Sequence, residues 1–404
     1  MSRILRFRPF LSFFPVNWNN ETYVAIQCNL NLLQQPVIFH SAIKEVLTLL
    51  IYGIKENEFK RILGTKLSVD EINKFIRMLD DNLLLESELW TSKFQNIKQT
   101  YFQAGLREPC LEGKLFPAKS DQRRALIKGW LSTSPSTDEI DNPDLIILPH
   151  IDYQRGWQIY ANTIKSIKGL SRKRFAILIG TDHKPTTRLL SVSNKDYFID
   201  GFRLPVWKDA LVELNQKLGD WIFDDLINQK SEHSLEICLP FLETIWHDEL
   251  LILPITVGGI DHLTKFEDLT SHSEFESFSS VLSEFLSDKI RDTVFILCID
   301  FSHLGKTFGD PFEITDSLSE ATRSFDNKLK EDFHFRSTKP LFEENVTLNL
   351  KQKVCGFSSL TLTRRIFDNL GLRLNSCSEF YRQAVTQNRE CFVSFWGITS
   401  TVTS

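Results

Sequence analysis

Three apolar runs of this chain end in the same kind of chemistry. DLIILPHIDYQRGW, at 144–157, runs into His150, Asp152 and Tyr153; FAILIGTDHKP, at 175–185, into Thr181, Asp182 and His183; and VFILCIDFSHLG, at 294–305, into Asp300, Ser302 and His303. A fourth stretch, KSEHSLEICLPFL, sets Glu232, His233 and Glu236 behind Ser231, a residue suited to cap a helix whose first turn would carry them. Four of the nine histidines thus stand beside carboxylates. Neutral imidazole with carboxylate is a donor set for Fe(II), Zn(II) or Cu(II), and two histidines with one carboxylate are one arrangement these residues can make. His247, His262, His272 and His334 sit in polar, helix-end or loop contexts and are expected to be structural or solvated.

For these residues to meet, the runs before them must be strands of one sheet. From residue 141 onward, strand-like runs (LIIL, FAILI, LLILPITV, VFILCI, CFVSFW) alternate with helical stretches (GWQIYANTIKSI, LEICLPFLETIW, SSLTLTRRIFDNL). That alternation predicts an α/β domain with a central, mainly parallel or mixed sheet flanked by helices. In such sheets the ligand crevice lies beyond the carboxyl ends of the strands, so His150, His183, His233 and His303 are expected in one pocket. Sequence motifs of other chemistries are missing: there is no G-x-S-x-G, G-x-x-x-x-G-K-[ST], H-E-x-x-H or G-x-G-x-x-G. TVGGID, after the run ending near Val257, reads as a tight turn. Cys298 lies within an apolar run and reads as core, whereas Cys355 in KVCGFSS precedes a helix start, a position that favours thiol reactivity.

A chain of 404 residues suggests two domains, and 42% hydrophobic with 25% charged residues is the balance of a globular protein. The longest apolar run, LTLLIYGI, falls far short of the roughly 20 residues that span a bilayer. The basic, apolar start is broken by Arg6, Arg8, Pro9 and Pro15, and reads as a folded strand rather than a leader. Seven widely spaced cysteines without a C-x-x-C form a reduced, cytoplasmic pattern. A net charge of −5 and a pI near 6.0 provide no electrostatic footprint for nucleic acid or an anionic membrane.

Residues 1–98 read as a unit of their own. Two strand-like runs, TYVAIQC and PVIF, precede a helix capped by Ser41, a short helical run ENEFKRIL, and a helix opened by the Ser68/Glu71 capping box with Ile72, Phe75, Ile76 and Leu79 on one face. NLLLES follows as a strand, which completes a winged-helix outline. Between 41 and 90 there are seven Lys or Arg against nine Asp or Glu, so this outline is expected to dock a protein or peptide and to repel DNA. Residues 99–140 read as a helical linker and 141–404 as the α/β domain.

Taken in order, PHIDYQRG, GTDH, EHSLEICLPFL, PITVGG, DFSHLG and VCG resemble the Memo-like family, called AmmeMemoRadiSam system protein B in bacteria, over roughly 141–404. The resemblance implies the fold of the LigB-type class III non-haem iron dioxygenases. It also implies a metal pocket built from His150, His183 and the position of Ser302, with His233 at the catalytic-base position. The chain departs from the family where His150-Ile151-Asp152-Tyr153 replaces His-Ala-Gly-Tyr, and where Ser302 stands in place of a cysteine of the metal-binding animal members. The expectation is therefore a divalent metal (iron, copper or zinc) held by His150 and His183, with Asp152 or Asp300 as third ligand or orienter. His233 or His303 would shuttle protons in redox or oxygenase-like chemistry. The N-terminal outline resembles PqqD-like peptide-binding domains, and the family's association with a radical-SAM enzyme implies a partner. The rival expectation is a non-catalytic protein that receives a peptide or partner in the same cleft.

Overall fold

The computed structural model describes residues 3–28, 30, 35–135, 139–246, 250–259 and 272–403; His247, His262 and the end of the TVGGID turn lie outside them. The chain forms two compact units, Met1–Gln103 and Ala104–Ser404. Among the described residues, no helix is long and apolar enough to cross a membrane.

In the first unit, Leu11–Trp18, Glu21–Cys28 and Val37–His40 form an antiparallel three-stranded sheet. The helices Lys44–Tyr52, Glu56–Leu63, Val69–Asp81 and Glu88–Gln103 follow. The capping box forms as its spacing demands: Ser68 Oγ accepts from Glu71 N at 3.3 Å, and the Glu71 carboxylate accepts from Ser68 N at 2.8 Å. Ile72, Ile76 and Leu79 then face a core shared with Leu47, Leu50 and Phe59. Two local expectations change. His40, not Ser41, is the cap: its Nδ1 accepts from Ala42 N at 3.1 Å over a single 3₁₀ turn, and the α-helix begins at Lys44. The strand expected at Asn82–Ser87 reduces to one bridge, Leu85 to Phe7, just after Leu83 turns the chain at a left-handed φ of 54°.

The second unit is built on a mixed sheet. Its order is Leu190–Val192, Leu251–Gly258, Phe175–Asp182, Thr293–Cys298, Leu145–Leu148, Phe392–Thr403 and His303–Leu304, with Arg373–Val385 also paired to Phe392–Thr403. The strands from Leu251–Gly258 to Leu145–Leu148 run parallel, and the remaining pairings are antiparallel. Both faces of the parallel strands are buried, which is why they read as unbroken apolar runs. Ile147, Ile179 and Leu297 face the side packed by Ser273–Leu286 and Phe357–Asn369, while Ile146, Leu178 and Ile296 face Tyr153–Lys165. Residues from Ala104 to 140 belong to this unit; Ile127 of the helix Ser120–Thr133 packs in the same cluster as Tyr160.

The helix expected over LEICLPFLETIW is only a 3₁₀ turn, Glu236–Cys238, and one short turn of α-helix, Leu239–Leu242. Pro240 supplies a physical reason: it has no N–H to give to the Glu236 carbonyl, so the run divides there, the short α-turn beginning with the proline in its first positions. Ahead of it, the guanidinium of Arg107 takes the carbonyl oxygens of Gln229 at 2.7 Å and Glu232 at 2.6 Å.

Candidate metal centre

The parallel strands end together at Leu148, Asp182, Gly258 and Cys298, so the segments that follow them meet at one edge. Beyond Leu148, the backbone N–H of His150 donates to Asp300 Oδ1 at 2.9 Å. The His150 Nδ1 lies 3.0 Å from the carbonyl oxygen of Cys298, which can only accept, so Nδ1 carries a proton, and in the neutral ring Nε2 has the lone pair. That Nε2 is 3.3 Å from Cys355 Sγ and 3.7 Å from Asp300 Oδ2.

Cys355 is brought there by a close backbone approach. Its carbonyl accepts from Thr181 Oγ1 at 3.2 Å, and Gly356 N donates to Asp300 O at 3.2 Å. A Cβ at position 356 would lie 2.6 Å from Ile299 Cβ, so only glycine lets this loop press onto the strand end.

His183 and His233 are held by one carboxylate. Glu232, whose side chain is 2% exposed, accepts from His183 N and Nδ1, both at 3.0 Å, from His233 N at 2.8 Å and from Ser234 N at 3.1 Å. Lys184 Nζ adds a contact of 3.3 Å, and His233 Nδ1 also lies 3.0 Å from Glu232 Oε1. With both Nδ1 atoms taken, both Nε2 atoms are left for a ligand, as in carboxylate–histidine–metal triads. The ring centroids of His150, His183 and His233 lie 4.6–5.3 Å apart. Glu232 is anchored in turn by the buried Arg107, which also pairs with Glu236 at 2.7 Å, while Glu236 accepts from the backbone N–H groups of Cys110 and Leu111.

Charge distributes unevenly over these rings. Burial disfavours the His150 imidazolium, but the Cys355 sulfur and the Asp300 carboxylate outweigh it and raise its pKa to about 9. His183 is likewise raised, burial being outweighed by Glu232, whose own pKa is held well below the carboxylate range by His183, Lys184 and His233 against its burial. Burial lowers His233, and lowers His303 to about 4, so both are neutral at pH 7. Asp182 is raised to about 7 by burial and by the neighbouring Glu232.

A pocket of about 300 Å³ opens over this edge, lined by His150, His183, His233, His303 and Asp300. His303 Nδ1 is tied to Phe301 O at 2.9 Å, and its ring meets Phe308 edge-on. Asp152 and Arg155 also line the pocket, but the Asp152 carboxylate is committed to Arg155 Nε at 2.6 Å and to the N–H of the same residue at the start of helix Tyr153–Lys165. The Tyr153 phenol donates to Ile237 O and supports the wall from behind.

Ser302 stands apart from its sequence expectation: it is fully buried, its hydroxyl donates to Asp326 Oδ1 at 2.7 Å, and it does not line the pocket. The third donor beside two imidazoles is the Cys355 thiol. His150, His183 and Cys355 offer ligand atoms within 4.8 Å of one another, and His183, Glu232 and His233 form a second such group. Sequence reasoning noted Cys355 only for its place before a helix; the adjoining Gly356 was the signal of a close approach. Nothing in the local sequence marks Arg107.

Fold and site together define an α/β protein that gathers histidines at the carboxyl ends of parallel strands. The chain belongs to the Memo-like protein family, whose model matches residues 107–399. It is 26% identical over 344 residues to a MEMO1 family protein of Aquifex aeolicus, covering 84% of this chain and 85% of that protein. Protein MEMO1 of Homo sapiens is 27% identical over 231 residues, 55% of this chain and 70% of its own. A MEMO1 family protein of Thermus thermophilus is 24% identical over 278 residues, 68% and 77% respectively.

Proposed function

We propose that this protein binds a divalent transition metal, iron, copper or zinc, on His150 Nε2, His183 Nε2 and Cys355 Sγ. The observation that carries the reading is the convergence of two imidazoles and a thiol within 4.8 Å, with Nδ1 of each ring already held by a protein acceptor. Two nitrogens and a sulfur suit copper, zinc or iron better than calcium or magnesium, which prefer oxygen. When bound, the metal supplies a Lewis acid and, if iron or copper, a redox couple for oxygenase-like chemistry. The chain's own residues do the rest. Asp300 fixes the His150 backbone and stands 3.7 Å from its ring, and Glu232 orients His183. His233 and His303, neutral at pH 7, are placed to accept a proton from a ligand in the pocket.

The first unit joins this reading as a docking module for a peptide or a radical-SAM partner. Leu11–Trp18 and Val37–His40 are the outer strands of its three-stranded sheet, where an extended segment can add by main-chain pairing. Metal analysis of protein purified without chelator or affinity-tag metal tests the main proposal. The His150→Ala/His183→Ala double variant should lose the metal and keep its fold, since both residues follow strand ends. Equal metal content in variant and parent would end the proposal.

A further inference from the structure

The pocket carries one fixed cation besides its imidazoles. Arg155 lies in the first turn of the helix Tyr153–Lys165, and its side chain is 37% exposed. Its Nε and Nη2 both address a single oxygen, Asp152 Oδ2, at 2.6 and 2.5 Å, while Asp152 Oδ1 accepts from Arg155 N at 3.2 Å. The remaining arm, Nη1, lies 3.8 Å from Cys391 Sγ, a weak acceptor. A guanidinium has five N–H donors, and this arrangement directs only two of them to a carboxylate. Two carboxylates, Asp152 and Asp300, also line the pocket, the second turned to the backbone N–H of His150; the rest of the lining is apolar: Leu115, Ile151, Ile237, Phe308 and Val393.

We infer that Arg155, held in place by Asp152, anchors the anionic group of this pocket's ligand, and that the ligand is a small organic carboxylate with an apolar body. The inference rests on the pocket of the proposed metal centre being a ligand site, and it names what that site selects. Three features support it. A pocket of about 300 Å³ is at the small end of the roughly 300–1,000 Å³ typical of ligand sites. Five apolar side chains favour a hydrocarbon or aromatic body over a sugar or nucleotide. A planar guanidinium matches the fork of a carboxylate, and Asp152 spares it the rotamer entropy of finding that pose. An i, i+3 ion pair on an exposed helix face would be a sufficient account of Asp152–Arg155 elsewhere; here both partners line the pocket.

Benzoate and benzamide share a shape and differ in charge, so they are the probes. Isothermal titration of the full chain is run metal-free and again with Zn(II). The metal-free parent should bind benzoate on the order of tenfold more tightly than benzamide. Arg155→Met should bring the two within about twofold, the level at which no charged hydrogen bond discriminates. Asp152→Asn keeps a competent helix cap and frees the guanidinium, so benzoate should bind more tightly. Opposite effects of the two substitutions are the signature of the anchor; a purely structural pair would weaken binding in both. Parental affinity for benzoate in Arg155→Met, the same weakening in both variants, or no benzoate binding by the parent would overturn the inference. If Zn(II) fails to bind while the benzoate preference appears, the metal reading falls and the anchor stands; the converse result removes only the anchor.

Discussion

Replacing Glu232 by glutamine changes one atom and should disable the site. The carboxylate faces six protein donors: His183 Nδ1, His233 N, His233 Nδ1 and Ser234 N on Oε1, and His183 N and Lys184 Nζ on Oε2. An amide has one acceptor oxygen, and its NH₂ group can only donate. In its better orientation, glutamine leaves the His183 N–H and the Lys184 ammonium facing another donor. Each buried donor left unmatched costs about 1–3 kcal/mol, so the loop should lose roughly 2–6 kcal/mol of local stability. The ring is also held less firmly: a neutral amide oxygen at the Oε1 position accepts the His183 Nδ1 proton more weakly than a carboxylate does, and metal affinity should fall by the roughly 10–100-fold typical of outer hydrogen-bond partners. Two measurements read these separately. Competition against a fluorescent chelator reports Zn(II) affinity, and hydrogen exchange at His183, His233 and Ser234 reports local opening, which is preferable to a global melt for a chain of two units. Zn(II) affinity within twofold or threefold of the parent, together with unchanged exchange protection, would refute the reasoning; the range follows from how little of the expected loss would remain.

Cys355→Ser should weaken Zn(II) or Cu(II) by at least the same roughly 10–100-fold and abolish the sulfur-to-metal charge-transfer band of the Cu(II) form; a retained band would assign the thiol elsewhere. Gly356→Ala places a Cβ 2.6 Å from Ile299 Cβ and 2.9 Å from Asp300 O. It should cost about 1–3 kcal/mol in the thermal midpoint of the second unit and displace the thiol from His150, so metal affinity falls as well; unchanged affinity would show that the loop does not set the thiol position. Asp326 is raised to about 6, chiefly by burial, against hydrogen bonds from Ser302 and Tyr381. A raised carboxyl stabilises the fold fully only below its unfolded value near ~3.9, and that contribution is lost as pH rises through about 6, a swing on the order of 2–3 kcal/mol. Asp326→Asn should therefore gain on the parent as pH rises from about 4 to about 6 and hold that gain above it, and parallel unfolding profiles would count against it.

The parallel strands were legible because burial on both faces leaves a plain signature: Leu145–Leu148 and Thr293–Cys298 are apolar almost throughout. Their chemistry was legible because His150, His183 and His303 follow strand ends directly. Arg373–Val385 escaped because RLNSCSEFYRQAV does not alternate polar with apolar residues throughout, and its pairing with Phe392–Thr403 shifts register between Ser376 and Ser378. The turn at 232–238 escaped for another reason. Its apolar spacing reads as a helix, but Pro240 divides the run, and Arg107, which takes the carbonyl of Glu232, lies more than 120 positions earlier. Cys355 was visible as a thiol before a helix, but its partner is His150, 205 positions away, and no spacing rule carries that information.

The strand Phe392–Thr403 lies between Leu145–Leu148 and His303–Leu304, and Ser394 Oγ accepts the backbone N–H of Ser302. Pairing so distant in sequence has a consequence in time. A ribosome releases His150 and His183 first, Cys355 two hundred positions later, and the strand that closes the sheet beside them later still. Until that strand arrives, the growing chain displays imidazoles and a thiol on separate, unsupported segments, where an ion would find one or two of them at a time and trap a wrong pairing. On the proposed metal site, loading is thus an event for the finished chain, and a truncation before residue 392 should keep every histidine yet produce a protein that scavenges metal loosely instead of holding it.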